Sequence, residues 1–444
     1  MGKRKSRKRR PPYDPAESLR PTTLDSELEP IARDLYEKVC CGSKKHWPEI
    51  KSRSEFKTDQ ALRENFLSSA HEGMRAAQNH IVQRVESTAG LSFSEELLYR
   101  SIADTIAWQF LGEQLCHARR LFRGHNQPDL SQSNFSSVVS AANSIVESNP
   151  DSMPLLSDLT SFVQVGDILS LDPRSGLSII EVKEGKVNQR ISQFLKFYNE
   201  SGCDRALHYF MSEEGPHTAK QMQRMIRQSG RMAHVSEMMS SGTSIDPDSG
   251  QKVYIPDEFI PISDWNEELS ALLARSEEKG WALDVIEDCL FVGCYADTPM
   301  FHGSHIAFNL WFDECGGDAE SPRAQMMDSI RSPLALPVFS RHIPVENKFD
   351  FLFGRKHLCM ALSVEKLIEK CEEAGLIVRQ GTNKETSKME QAGAKPYRHK
   401  GKSIFIGDGS KELVLMDGIF MRVFFHGQKP VSTIRAILAA GLPT

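Results

Sequence analysis

One set of residues in this sequence has types and spacing fit for chemistry: Asp167, Glu181 fourteen residues further on, and Lys183. They lie in TSFVQVGDILSLDPRSGLSIIEVKEG, residues 160–185, where two stretches rich in Val, Ile and Leu flank the run Asp172-Pro173-Arg174-Ser175-Gly176. That run is made of turn formers, so the pattern predicts a strand, a turn and a second strand. If Leu171 pairs with Leu177, paired positions sum to 348, Asp167 stands opposite Glu181, and Lys183 points to the same face. A four-residue loop would instead shift the sum by one and part the two acids unless a bulge brought them back. Opposed Cβ atoms sit about 4.5–5.5 Å apart, and two carboxylates at that distance repel unless they share a cation. Oxygen ligands suit Mg²⁺ or Mn²⁺. Such an ion polarises a phosphate oxygen and lowers the pKa of a bound water, and a lysine beside it can orient or deprotonate that water. These parts suffice for phosphodiester hydrolysis.

The elements around the three residues must hold them. Val163, Val165, Leu169, Leu171, Leu177 and Ile179 fall on the face bearing the charges, and Ile168, Ile180 and Val182 on the other. Strands apolar on both faces are expected to be covered on both, as in a sheet flanked by helices. Glu-x-Lys occurs six times in the chain, but only the copy at Glu181 ends a β-branched stretch with an aspartate placed opposite. Upstream, residues 31–125 read as helix. The best case opens with the capping-box pair Ser92 and Glu95 and runs to about residue 122 with Leu98, Ile102, Ile106 and Phe110 as its stripe. Glu113 continues that stripe and is a candidate fourth carboxylate, near the basic group His117, Arg119, Arg120 and Arg123, which could meet phosphates. Helices are expected at 135–147, 188–200 and 217–240. In the last of these Lys220, Arg224, Arg227 and Arg231, spaced four, three and four, line one face. Met222, Met225, Ile226 and Met232 take the rest. A basic stripe without a balancing acid suits a nucleic-acid backbone.

Gly166-Asp167 followed by Glu181-Val182-Lys183 on the second strand of a hairpin, with a helix behind, resembles the signature of the PD-(D/E)xK nuclease superfamily, Gly166 standing where the family's name has proline. That superfamily includes restriction endonucleases, recombination nucleases and many phage-defence effectors. The resemblance covers at most residues 90–300. It implies a restriction-endonuclease-like α/β fold with a mixed sheet flanked by helices. It also implies Mg²⁺ (or Mn²⁺) held by Asp167, Glu181 and the Val182 carbonyl, with Lys183 assisting the attacking water. DNA is the expected substrate. The alternative expectation is a non-catalytic nucleic-acid-binding or scaffold protein that keeps a nuclease-like fold.

Length and composition set the frame. The 444 residues, 40% hydrophobic and 25% charged, are enough for a sizeable core and more than one domain. The expected division is a basic disordered tail at 1–30, a helical region at 31–90, a nuclease-like domain at 91–300 and a smaller α+β domain at 301–444 for substrate or partner recognition. Seven of the first ten residues are Lys or Arg, so the rest of the chain carries about −12 against an overall −5, and nucleic acid must be met by local patches. The basic start lacks the apolar stretch of a secretory signal, and no apolar run is long enough to span a membrane. Nine cysteines without a regular framework read as reduced thiols, which with those absences points to the cytoplasm. A protein partner or a second copy of the chain stays open. Residues 285–296 read as a buried strand, 364–375 as a helix, 380–402 as a polar loop, and ELVLMDGIFMRVFF as a hairpin turning at Asp417-Gly418. His302-x-x-His305 lacks the glutamate and helical setting of a zinc protease.

Overall fold

The computed structural model describes residues 22–88, 90–133, 135–183, 185–245, 252–254, 262–296 and 298–440. Most of the basic segment expected at the start, residues 1–21, lies outside the described residues. From there on the chain is already built in: Leu24 and Leu28 are buried, and the Leu24 N–H donates to the Leu352 carbonyl at 2.8 Å.

Helix dominates. The N-terminal half carries α1 (Glu29–Cys41), α2 (Arg53–Thr58), α3 (Gln60–Ser87), α4 (Phe93–Phe110), α5 (Leu115–Leu121), α6 (Ser136–Ser148), α7 (Gly185–Ser201) and α8 (Asp204–Ser241). The remainder carries α9 (Asn266–Lys279), α10 (Thr298–Glu314), α11 (Val345–Leu352), α12 (Val364–Glu373), α13 (Asn383–Gln391), α14 (Asp417–Phe424) and α15 (Pro430–Ala439). The Ser92–Glu95 capping box closes the start of α4 as expected. The helix stops at Phe110 rather than near 122, because Gly112 and Glu113 turn with positive φ before α5 begins. No described helix is long and apolar enough to cross a membrane, and all nine cysteines are free.

The described strands form small antiparallel sheets, not the mixed sheet expected. In the first, β1 (Met153–Leu156), β2 (Ile168–Asp172) and β3 (Gly176–Ile180) pair in that order. The register of β2 on β3 is the one expected: Leu171 faces Leu177, and Asp172 faces Gly176. The Asp172 carboxylate fixes the turn, accepting the N–H groups of Arg174 at 2.9 Å and Ser175 at 2.6 Å, and is held down to a pKa of about 2 chiefly by the Ser175 bond. Two expectations fail. Residues 160–167 are not strand, because side chains take their backbone: Val163 N–H donates to the nearby Thr160 hydroxyl at 3.0 Å and Ser161 N–H to the distant Asp104 of α4 at 2.7 Å. The middle of the sheet is β2, flanked by the unforeseen β1, so β3 is a half-exposed edge rather than a covered central strand.

Strands β4 (Thr243–Ile245) and β5 (Lys252–Tyr254) pair with each other, and a larger sheet runs β6 (Trp281–Ile286), β7 (Leu290–Tyr295), β9 (His357–Leu362), β8 (Arg323–Gln325). The strand expected at 285–296 is thus a hairpin, and the domain boundary expected at 300 falls between two paired strands of one sheet, β7 and β9. One core runs from Leu24 to Leu438 through α4, the first sheet and α14. The polar loop expected at 380–402 contains α13, opened by a Thr382–Glu385 capping box. At Asp417-Gly418 a helix starts instead of a hairpin: Ile419, Phe420, Val423 and Phe424 repeat at helical, not alternating, spacing and are all buried. His305 is helical too, on α10, within hydrogen-bond distance of Asn309 at 3.1 Å.

Candidate active site

The site forms where the β2–β3 ladder ends. Gly166 has φ +77°, and a Cβ there would lie 2.4 Å from the Ile179 Cγ2 and 3.1 Å from the Ile180 carbonyl oxygen. Only glycine takes that conformation freely, and proline, fixed near −65°, cannot take it. Beyond Gly166 the ladder slips. The Asp167 N–H donates to Ile180 at 2.8 Å instead of Glu181, and the Asp167 carbonyl accepts from Ser157 N–H at 2.9 Å. Asp167 and Glu181 are consequently not a ladder pair. The Asp167 carboxylate instead accepts the Val182 N–H at 2.6 Å.

Glu181 and Lys183 lie beside it. The Lys183 Nζ donates to Glu181 at 2.7 Å and to the Gln228 side-chain carbonyl of α8 at 3.3 Å. The two side chains keep 15% and 25% of their surface, so the group is sheltered but reachable. Burial raises the Asp167 carboxyl above its ordinary range; the Val182 N–H opposes this, the Glu181 charge adds to it, Lys183 opposes it, and Asp158 adds a little more. Asp158 is thus a further acid within the field of Asp167, exposed on the turn before β2. The three sequence candidates and Val182 come together. The donor set is two carboxylates of hard oxygen that repel each other, which fits Mg²⁺ or Mn²⁺. Among the described residues no group of three or more His, Cys, Asp or Glu side chains is gathered as a metal site, at this place or any other.

Glu113 is not part of this group. It follows α4 with φ +58°, facing His342 at 3.9 Å. What α4 brings toward the site is Arg100 and Asp104. The Arg100 guanidinium donates to the carbonyls of Asp158 at 3.2 Å and Thr160 at 2.9 Å, and Asp104 accepts the Ser161 N–H and hydroxyl at 2.7 and 2.6 Å. These bonds fix the segment that leads into Asp167. Burial pushes the Asp104 carboxyl up to about 7. An unfolded aspartate ionises near ~4. Between those values the folded chain keeps a proton that the unfolded chain has released, so stability falls as pH rises through that window. The melting temperature is expected to drop between pH 5 and pH 8, and Asp104→Asn to flatten the drop; parallel pH curves for the two proteins would refute this.

The basic stripe reaches the same place. Lys220, Arg224 and Arg227 are exposed and Arg231 is half-buried, while Thr218, Met222, Met225, Val235 and Met238 form the buried side of α8. Ile226, expected on the apolar side, is 48% exposed. The helix bends at Gly215-Pro216 and rests on α7, where Met222 and Met225 pack with Ile191 and the Phe194 and Phe210 rings stack at 4.1 Å. Gln228, four residues after Arg224 and three before Arg231, shares their face and holds Lys183. The sequence offered no signal for Gln228, because its partner lies 45 residues away.

Comparison with family models, curated proteins and solved structures finds no match.

Proposed function

We propose that the protein is a Mg²⁺-dependent nuclease acting on DNA, with Asp167, Glu181 and Lys183 as its reacting set. The observation that carries this reading is the bond from Lys183 to Gln228, which ties the lysine of the acidic group to the helix bearing Lys220, Arg224, Arg227 and Arg231. A polymer held along that face would have its phosphates led to the two carboxylates. Asp167 and Glu181 would hold the ion together with the Val182 carbonyl. When bound, the ion supplies charge to the scissile phosphate and acidity to a water. The chain's own residues do the rest. Val182 N–H orients the Asp167 carboxylate, Gln228 keeps Lys183 at the group, and the Lys183 ammonium places a water for attack. Purified protein is expected to cut plasmid DNA with Mg²⁺ or Mn²⁺ and to stop on chelation. Arg224→Gln with Arg227→Gln is expected to lower the slope of log affinity against log salt by about one for each arginine that neutralises a phosphate. Cutting that persists in excess chelator would overturn the metal-dependent reading.

One observation favours a second reading, a non-catalytic nucleic-acid-binding or scaffold protein. Glu181 and Asp167 already have partners within the chain, Lys183 and Val182 N–H. Binding of DNA without cleavage under any divalent metal would favour it.

A further inference from the structure

The structure separates the four basic residues grouped at 117–123. His117 is half-buried, and burial lowers its pKa, so the ring is neutral near pH 7. Arg119 is turned to the first turn of α14, where a Cβ on Gly418 would lie 2.0 Å from its Nη2. Arg120 has its Nε buried. Arg123 is different. The helix α5 ends at Leu121, Phe122 is extended, and Arg123 stands in an exposed stretch that Gly124 turns with φ +78°. No Asp or Glu occurs from residue 114 to residue 128, and among the described residues Arg123 pairs with no carboxylate.

That stretch is laced to the segment that carries Asp167. The Gln164 N–H donates to the Leu121 carbonyl at 2.9 Å, and its side-chain carbonyl accepts the Arg123 N–H at 2.7 Å. The Gln164 side-chain amide donates in turn to the His125 carbonyl. Gln127 returns the tie, donating from its side chain to the Val163 carbonyl at 2.9 Å. Gln164 precedes Asp167 by three residues, a length of chain that spans at most about 11 Å. The anchor of Arg123 is therefore within that distance of the reacting acid. The bond described for Arg123 is made by its main chain, so the anchor leaves the guanidinium uncommitted. The helix from whose end it projects, α5, lies against α8, which carries the basic stripe.

We propose, on the nuclease reading of the Asp167 group, that Arg123 contacts a backbone phosphate close to the one being cut, and that Gln164 holds it there. A planar fork with free donors suits phosphate oxygens. A phosphate contact anchored beside the reacting residues sets the position of the strand on the protein. Binding of a DNA duplex to the full chain is measured against salt in excess chelator, where no cutting is expected, and cleavage with Mg²⁺ is read separately. Arg123→Gln is expected to lower the slope of log affinity against log salt by about one, with an unchanged melting temperature. Arg123→Lys is expected to restore the slope. Arg119→Gln, whose side chain is turned to α14, is expected to keep the wild-type slope. In cleavage at low salt, Arg123→Gln is expected to raise KM several-fold and to leave kcat within a few-fold of wild type. A wild-type slope in Arg123→Gln, whether or not its melting temperature falls, overturns the proposal and leaves the Asp167 site standing. An equal fall of slope in Arg119→Gln overturns it too, since the effect would then belong to net charge. A slope that falls only in Arg123→Gln, in a protein that never cuts, keeps the contact and overturns the nuclease reading instead.

Discussion

Asp167→Asn is expected to slow DNA cleavage by roughly two to four orders of magnitude while leaving the fold and DNA binding close to wild type. The carboxylate has two duties in the structure. One is geometric: it accepts the Val182 N–H at 2.6 Å and so stitches the end of β3 to the segment before β2. An asparagine carbonyl can do the same, which keeps the hairpin closed. The other is electrostatic. Burial and the Glu181 charge push its carboxyl up, so the ionised form is held at a cost that a bound cation would offset. Asparagine removes that charge and nothing else of comparable weight. Single-turnover cleavage at fixed Mg²⁺, with melting temperature and DNA affinity measured on the same preparation, separates the two duties. A variant that cuts at the wild-type rate would remove Asp167 from the reaction. One that unfolds would make its role structural.

Gly166→Ala carries the second large effect, and it acts through the backbone. Taking a left-handed conformation costs a residue with a Cβ about 1–2 kcal/mol. The new Cβ also meets the Ile179 Cγ2 at 2.4 Å and the Ile180 carbonyl at 3.1 Å, contacts that β3 can relieve only by moving off β2. That motion displaces Glu181, which follows Ile180 directly. Stability is expected to fall by about 2–4 kcal/mol in all, and cleavage to fall further than the folded fraction explains. Gly176 provides the control. It shares the hairpin and has φ +84°, but a Cβ there meets nothing within 4 Å. Gly176→Ala should therefore show the backbone strain alone, with a smaller stability loss and near-normal activity. Equal losses of activity in the two variants would deny Gly166 any special part in placing the acids. Denaturant titrations beside cleavage assays measure both.

How much of this could be read from the chain differs from residue to residue, for physical reasons. The register of β2 on β3 was legible because it is set locally, by the Asp172–Gly176 turn and the alternation on either side. The start of α4 was legible because a capping box is a four-residue signal, and the same signal at Thr382 and Glu385 announced α13 within a stretch read as loop. The grouping of Asp167, Glu181 and Lys183 follows from that register, but their detailed meeting does not. The slip at Gly166 sends the Asp167 side chain to Val182 N–H, and no alternation pattern reports a positive φ. Strand β1, only four residues with Pro154 among them, was too short to read. Its free edge is met by Gln78 of α3, which accepts the Leu156 N–H and donates to the Pro154 carbonyl, both at 2.9 Å. Asp104, Asp158 and Gln228 reach the site by tertiary folding, and spacing along the sequence carries no trace of such approaches. Glu113 shows the converse: it continued the stripe of α4 on paper, but the helix had already ended.

The most direct test of the central claim is Lys183→Ala compared with wild type in one experiment that reads both DNA binding and DNA cleavage with Mg²⁺. Lys183 touches Glu181 on one side and Gln228 of the basic helix on the other, and makes no described backbone bond through its side chain, so its loss should leave the fold intact. Wild type is predicted to cut, and Lys183→Ala to bind DNA with nearly the same affinity and not to cut. Cleavage by the variant at the wild-type rate would contradict the account.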